Sequence, residues 1–319
     1  MKKIAILDTS ICSTNLGDQI IMSAVESHLN EVFKDDFFIK IPTHDSIGKN
    51  SHRELESSNY KIVGGTNLLC SNINSYRQWR LNPYDALVVK NLTLMGVGWW
   101  QYQSPPNLYS KLLYKKILSS QLLHSVRDNY AKSQLESIGI RNVINTACPT
   151  MWSLTDDHCS NIPIEKSDSV LMTFTNYKKD KSSDAQLLLL LKQNYKQIYF
   201  WIQHPKDYEY VKELCEQSLD NAVQVDFIAP SLNALDKALS EDVDYIGTRL
   251  HAGVRALQKK KRSLILAVDN RAIEISKDTH LPVIPRNDFS SLKDWIVSNN
   301  DLKLNLPWET IEKWKKQFT

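Results

Sequence analysis

The sequence has no apolar run approaching the roughly 20 residues that a membrane-spanning helix requires. Its most apolar stretch is five leucines at 187–191, between Gln186 and Lys192, which suits a buried helix. An apolar start at Ile4-Ala5-Ile6-Leu7 is cut by Asp8, too early for a signal peptide. The five cysteines (Cys12, Cys70, Cys148, Cys159, Cys215) are odd in number and include no C-x-x-C pair, so neither a disulfide framework nor a zinc site is indicated. No metal site is expected, and the thiols read as reduced in a cytoplasmic protein. A charge of one sign is also missing: 39 Lys and Arg against 36 Asp and Glu leave a formal +3. That balance excludes nucleic acid as the main partner and leaves any anion site to local placement. Low-complexity tracts, short repeats and the G-x-G-x-x-G dinucleotide fingerprint are absent too.

What is present is alternation. Apolar strand-like runs at 3–7, 37–41, 60–63, 86–89, 92–97 and 124–126 are interleaved with helical spacing from Asp18, at 108–118 and at 129–138. Strands at 170–174, 198–202, 223–228, 245–247 and 263–268 alternate with helices at 185–194, 207–217, 232–239 and 252–258. Strands separated by helices of this length make right-handed βαβ units and parallel sheets. With 319 residues and a polar stretch at 155–168 holding Pro163, the chain reads as an α/β protein of two doubly wound domains facing a cleft. The expected domains are 1–156 and 168–319, the second ending in an amphipathic helix carrying Trp308, Ile311, Trp314 and Phe318.

Ligands of open parallel sheets bind beyond the carboxyl ends of the strands, so the strand-end residues carry the chemistry. Asn15-Leu16-Gly17-Asp18 joins the first strand to the first helix, where a glycine turn and a capping acid fit a plain turn or a ligand loop. Gly64-Gly65-Thr66-Asn67 and Gly96-Val97-Gly98 read as glycine turns after strands, whose N–H groups can cradle an anion. Arg127 follows a strand with Asp128 beside it, as an anion grip or as one half of an ion pair. The most informative stretch is Gly247-Thr248-Arg249-Leu250-His251-Ala252. It places a two-point anion ligand and a group titrating near neutral pH at a helix N-terminus. Trp99 and Trp100 pack beside the Gly96 turn or wall a sugar ring, and Trp79 is a further stacking surface.

These residues, in this order and spacing, resemble the polysaccharide pyruvyl transferase family over nearly the whole chain, from Ile4 to Asp278. The resemblance implies two Rossmann-like halves in a GT-B-like arrangement. It also implies transfer of pyruvate from phosphoenolpyruvate to a sugar of a surface glycan, with no cofactor and no metal. Arg127 and Arg249 match the arginines the family uses on phosphoenolpyruvate, and His251 its proposed acid. Gly247, Thr248, Leu250 and Arg271 fall on the donor side by the same match. Asn15, Gly17, Asp18, Gly64, Gly65, Thr66, Asn67, Gly98 and Trp99 fall on the acceptor side. The chain departs from the pattern at Gln19, where glutamate is common, at Cys148, where aspartate is usual, and at Arg271, which stands for a lysine. The implied acceptor is lipid-linked or nucleotide-linked and met at the inner membrane face, with peripheral membrane contact at most. Two other readings remain: a GT-B-like glycosyltransferase using an activated sugar, and a non-catalytic glycan-binding relative.

Overall fold

Two stretches of apolar strands, the central ones buried on both faces, build two separate sheets. A computed structural model of the chain describes every residue except Arg77, Pro83, Asp220 and Asn221. It divides into two units: Met1–Ser13, Ile21–Trp152 and Leu306–Thr319 form the first, and Thr14–Ile20 with Ser153–Asn305 the second.

The first unit holds β1 (Lys3–Asp8), β2 (Phe37–Pro42), β3 (Tyr60–Leu69), β4 (Leu92–Trp99), β5 (His124–Val126) and β6 (Val143–Asn145). All neighbours are parallel, in the order β2-β1-β3-β4-β5-β6. Around them lie α1 (Leu16–Val32, whose first turn belongs to the second unit), α2 (Lys49–Ser57), α3 (Asp85–Val88), α4 (Leu108–Ile117) and α5 (Asn129–Ser137). Parallel strands covered on both faces read as continuous apolar runs, and β4 is buried along its whole length.

The second unit holds α6 (Asp156–Ser160), β7 (Ser169–Thr173), α7 (Lys181–Asn194), β8 (Gln197–Trp201), α8 (Pro205–Glu213) and β9 (Asp226–Ile228). After these come α9 (Leu232–Ala238), β10 (Asp244–Gly247), α10 (Leu250–Gln258), β11 (Ser263–Ala267), α11 (Asn270–Thr279), β12 (Val283–Pro285) and α12 (Phe289–Val297). The sheet order β12-β11-β10-β7-β8-β9 is the doubly wound order with its reversal between β7 and β10.

Three local readings change. The run at 86–89 is not a strand: Asp85 and Asn82 exchange hydrogen bonds (2.7 and 2.9 Å) that start α3 there instead. Gly64-Gly65 and Gly96-Gly98 are not turns after strands but lie inside β3 and β4. The polar stretch at 155–168 is not a bare linker, because Thr155 caps α6 and belongs with it to the second unit.

The closing helix α13 (Trp308–Lys316) also differs from expectation, packing in the first unit rather than with the C-terminal half. Trp314 is fully buried 5.9 Å from the Trp152 ring, and Phe318 meets Phe33 and Tyr60 at 5.3 and 5.2 Å. Thr310 donates to the Asn145 carbonyl at the end of β6 (2.6 Å), and the Leu123 N–H donates to the Gln317 side chain (2.7 Å). Its three aromatic and aliphatic anchors complete a core that α1 alone would leave open.

Candidate functional site

On the first unit, Arg127 leaves the end of β5 and is almost wholly buried, 1% exposed. Its Nη2 donates to Asn67 Oδ1, and its Nε to Asp128 Oδ2 at 3.3 Å. Asp128 is fixed in turn, because its Oδ1 caps α5 by accepting from the Ala131 N–H (2.7 Å). The guanidinium occupies space that only a glycine leaves open: a Cβ on Gly98 would stand 2.2 Å from Arg127 Cζ. Asn67 reaches it from a bulged stretch of β3, where Thr66 holds a φ of +90°. A β-branched residue in that region is strained and persists only where its surroundings hold it.

The other glycines serve packing. Gly64 and Gly65 admit Met22 and Ile21 of α1, and Gly96, at φ +64°, admits the Pro149 ring. Cys148 stands before that proline, and burial pushes its thiol pKa up, so at neutral pH it is a protonated group near Arg127. Trp99 turns inward, 1% exposed, with its Nε1 donating to Gln103 Oε1 (3.1 Å); it is core rather than a stacking wall. Trp79 is equally buried and lines a cavity of about 370 Å³, while Trp100 stacks on Tyr76 at 4.0 Å.

On the second unit the strand ends beside the sheet reversal carry the charged groups. Arg249 follows β10 and precedes α10, with Leu250 and His251 in the helix's first turn, all three buried. Arg249 Nε donates to the Phe174 carbonyl (2.8 Å), and Nη2 bonds both oxygens of Asp207 at 2.7 Å. Asp207 is fully buried at the start of α8, where it also accepts from Asn176 Nδ2 (2.7 Å) and the His204 N–H (3.0 Å). Burial lowers the His204 pKa, with Arg249 adding to the effect.

The Arg249 backbone is pinned as well, because Tyr245 Oη donates to its carbonyl (2.8 Å) and accepts from Thr173 Oγ1 (2.6 Å). Gly247 leaves room for that Thr173 hydroxyl, 2.5 Å from where a Cβ would lie. Thr248 shares a hydrogen bond with Thr175 (2.9 Å).

Arg271, in the first turn of α11, bonds both oxygens of Asp269 through Nε (3.0 Å each) and donates from Nη2 to Tyr177 Oη. The Tyr177 ring lies 5.5 Å from Arg249 Cζ, so one tyrosine touches both arginines. The loop Asn15–Asp18 is tied to this unit: Gln203 Nε2 donates to Asn15 Oδ1 (2.7 Å) and the Leu16 N–H to the Gln203 carbonyl (3.1 Å). Gly17 allows that approach, since a Cβ there would meet Gln203 Nε2 at 2.8 Å; Asp18 is buried beside Asn15.

Thus Gly98, Asn67 and Arg127 share one site, and Gly247, Thr248, Arg249, Leu250 and His251 share another with Arg271 nearby. Asp207, Asn176 and Tyr177 were not foreseen. Their signals were present: Asn176-Tyr177 follow an apolar strand, and His204-Pro205-x-Asp207 has the spacing of a capped helix start.

The family model for polysaccharide pyruvyl transferase matches residues 15–270, which include both clusters. The chain belongs to that family. It is therefore a transferase by family, and the two parallel six-stranded sheets are its GT-B-like α/β fold. No curated protein matches it in sequence. Among solved structures, the UDP-GlcNAc 2-epimerase of Methanocaldococcus jannaschii is similar at a TM-score of 0.55 and 14% identity, over 99% of this chain and 100% of that one. The S. aureus MnaA–UDP structure is similar at 0.49 and 15%, over 100% and 97%. At these identities the likeness is one of fold. Among the described residues no helix is long and apolar enough to cross a membrane, and no three His, Cys, Asp or Glu side chains cluster to hold a metal.

Proposed function

We propose that the transferase moves the pyruvyl group of phosphoenolpyruvate onto two hydroxyls of a sugar in a surface polysaccharide or its lipid-linked precursor. The observation that carries this reading is the Arg249-Leu250-His251 turn at the N-terminus of α10, beside the sheet reversal of the second unit. Phosphoenolpyruvate bears a carboxylate and a phosphate, the anions that a guanidinium fork and free helix N–H groups bind best. Arg271, which meets the same Tyr177 as Arg249, is a further cation for this donor. Rigid placement matters here: Asp207 and Phe174 fix the Arg249 plane before any ligand arrives.

In the proposed chemistry His251 gives a proton to the methylene carbon of the enol, and electron demand rises at the adjacent carbon. One sugar hydroxyl adds there and its proton restores His251. A second displaces phosphate and its proton leaves on the phosphate oxygen, and the products are a cyclic pyruvyl ketal and inorganic phosphate. Cationic side chains stabilise the departing phosphate. No cofactor takes part in this scheme.

The test is thermal shift with phosphoenolpyruvate set against a panel of nucleotide sugars, followed by phosphate release in the presence of acceptor glycans. Stabilisation by phosphoenolpyruvate and glycan-dependent phosphate release support the reading. Stabilisation by a nucleotide sugar alone transfers the site to an activated-sugar donor. Response to neither leaves a glycan-binding relative.

A further inference from the structure

Helix α4 has two apolar faces. Leu113, Tyr114 and Ile117 point into the core of the first unit, as a surface helix should. Leu108 and Leu112, one turn apart, point the other way and are 70% and 59% exposed, with Tyr109 beside them at 40%. Helix α3 packs against α4 and adds Tyr84 and Leu87, 61% and 57% exposed. An exposed cluster of large apolar side chains on a folded unit marks something that covers it.

Charge says what. From 86 to 127 the chain carries no Asp or Glu, whereas Lys90, Lys111, Lys115 and Lys116 fall in that stretch. Asp85, the carboxylate just before it, is fully buried against His52 at 2.7 Å. Among the described residues none of these four lysines pairs with a carboxylate. Around α4 they flank the two leucines: Lys111 and Lys115 fall on one side at helical spacing, and Lys116 on the other. In a chain whose charges otherwise nearly balance, apolar side chains ringed by unpaired lysines match the acyl boundary and the anionic headgroups of a bilayer. Lysine stems reach up to the headgroups from a shallowly buried helix, and tyrosines favour that depth.

We infer that this face, α4 with α3 beside it, is a peripheral docking surface for an anionic bilayer. The inference deepens the proposed function, since a lipid-linked acceptor would be met there. It rests on that reading only for its purpose, not for its residues.

The test is co-sedimentation of the full chain with vesicles of phosphatidylcholine alone or mixed with phosphatidylglycerol, none carrying glycan. Mixed vesicles should bind at least about tenfold more protein than neutral ones at low salt, with the excess falling as salt screens the lysines. The pairs Leu108→Ser with Leu112→Ser, and Lys111→Gln with Lys116→Gln, should each cut vesicle binding about tenfold. Both should keep the wild-type circular dichroism and phosphoenolpyruvate affinity. Equal binding to both vesicle types, or variants that bind like the wild type, would overturn the inference. So would a concentration-dependent dimer that the leucine pair abolishes, which would give the face to a second copy. Transfer to a short soluble acceptor is measured separately, so the two proposals fail independently.

Discussion

The Arg127 guanidinium lies where a side chain on Gly98 would have to be, with the Cβ position 2.2 Å from Cζ and 2.3 Å from Nε. Gly98 is thus the floor on which Arg127 rests. A single methyl group should evict the arginine from its bonds to Asn67 and Asp128. Gly98→Ala is expected to weaken phosphoenolpyruvate binding about as much as Arg127→Ala does, roughly ten- to a hundredfold. Calorimetry on both variants checks this; wild-type affinity in Gly98→Ala would show that the arginine can leave without consequence.

Arg249 and Asp207 are both buried, so neither can lose its partner cheaply. Arg249→Gln leaves a buried carboxylate facing a neutral group and should lower unfolding free energy by about 3 kcal/mol or more. Replacing both, Arg249→Met with Asp207→Leu, should recover most of that stability while donor binding stays lost. Urea unfolding separates the two effects: equal stability of the single and double variants would mean the pair is not coupled.

His251 sits in the first turn of α10, and the proposed acid role demands a proton, not only a shape. His251→Asn should lower turnover by about 10² to 10⁴ with phosphoenolpyruvate affinity little changed. Loss of affinity with turnover preserved at saturation would make His251 an anion ligand instead.

Arg271 spends Nε and Nη2 on Asp269 and Tyr177. If its remaining donors hold the donor substrate, Arg271→Ala should weaken binding by about 1.5–3 kcal/mol, roughly ten- to over a hundredfold. Arg271→Lys should fall between, keeping charge without the fork. Three equal affinities would reduce Arg271 to a brace for Tyr177.

His124 gives a pH dependence to stability. Burial pushes its pKa down to about 4 from an ordinary 6.5, and its neutral ring accepts from the Leu94 N–H (3.3 Å) and donates to the Ser119 carbonyl (2.8 Å). The folded state therefore binds fewer protons than the unfolded state between these values. Stability is full above pH 6.5 and falls as pH drops toward 4, by about 1.4 kcal/mol per unit and about 3 kcal/mol in all. His124→Gln should flatten that part of the profile in thermal unfolding followed across pH.

The alternation of strands and helices was legible because parallel strands buried on both faces leave continuous apolar runs. The run at 86–89 misled for the same reason: four apolar residues fit a buried strand or one buried helical turn, and the Asn82–Asp85 cap decides between them. Arg249 and His251 could be placed at a strand end from sequence. Asp207 could not be paired with Arg249, because 42 residues and two strands separate them. The glycines were read as turns, since sequence marks where a Cβ is missing but not what fills the space.

Leu306–Thr319 completes a unit that begins at Met1. That makes the first unit the last to finish during synthesis. Domains otherwise fold in chain order as they emerge, yet here Phe33, Tyr60 and Trp152 wait uncovered until Trp314 and Phe318 leave the ribosome. The second unit, almost all of it in Ser153–Asn305, meets no such delay. A chain cut before Trp314 would thus keep every strand of both units yet leave an open seam in the first one alone, a form that chaperones and proteases can tell from the full chain.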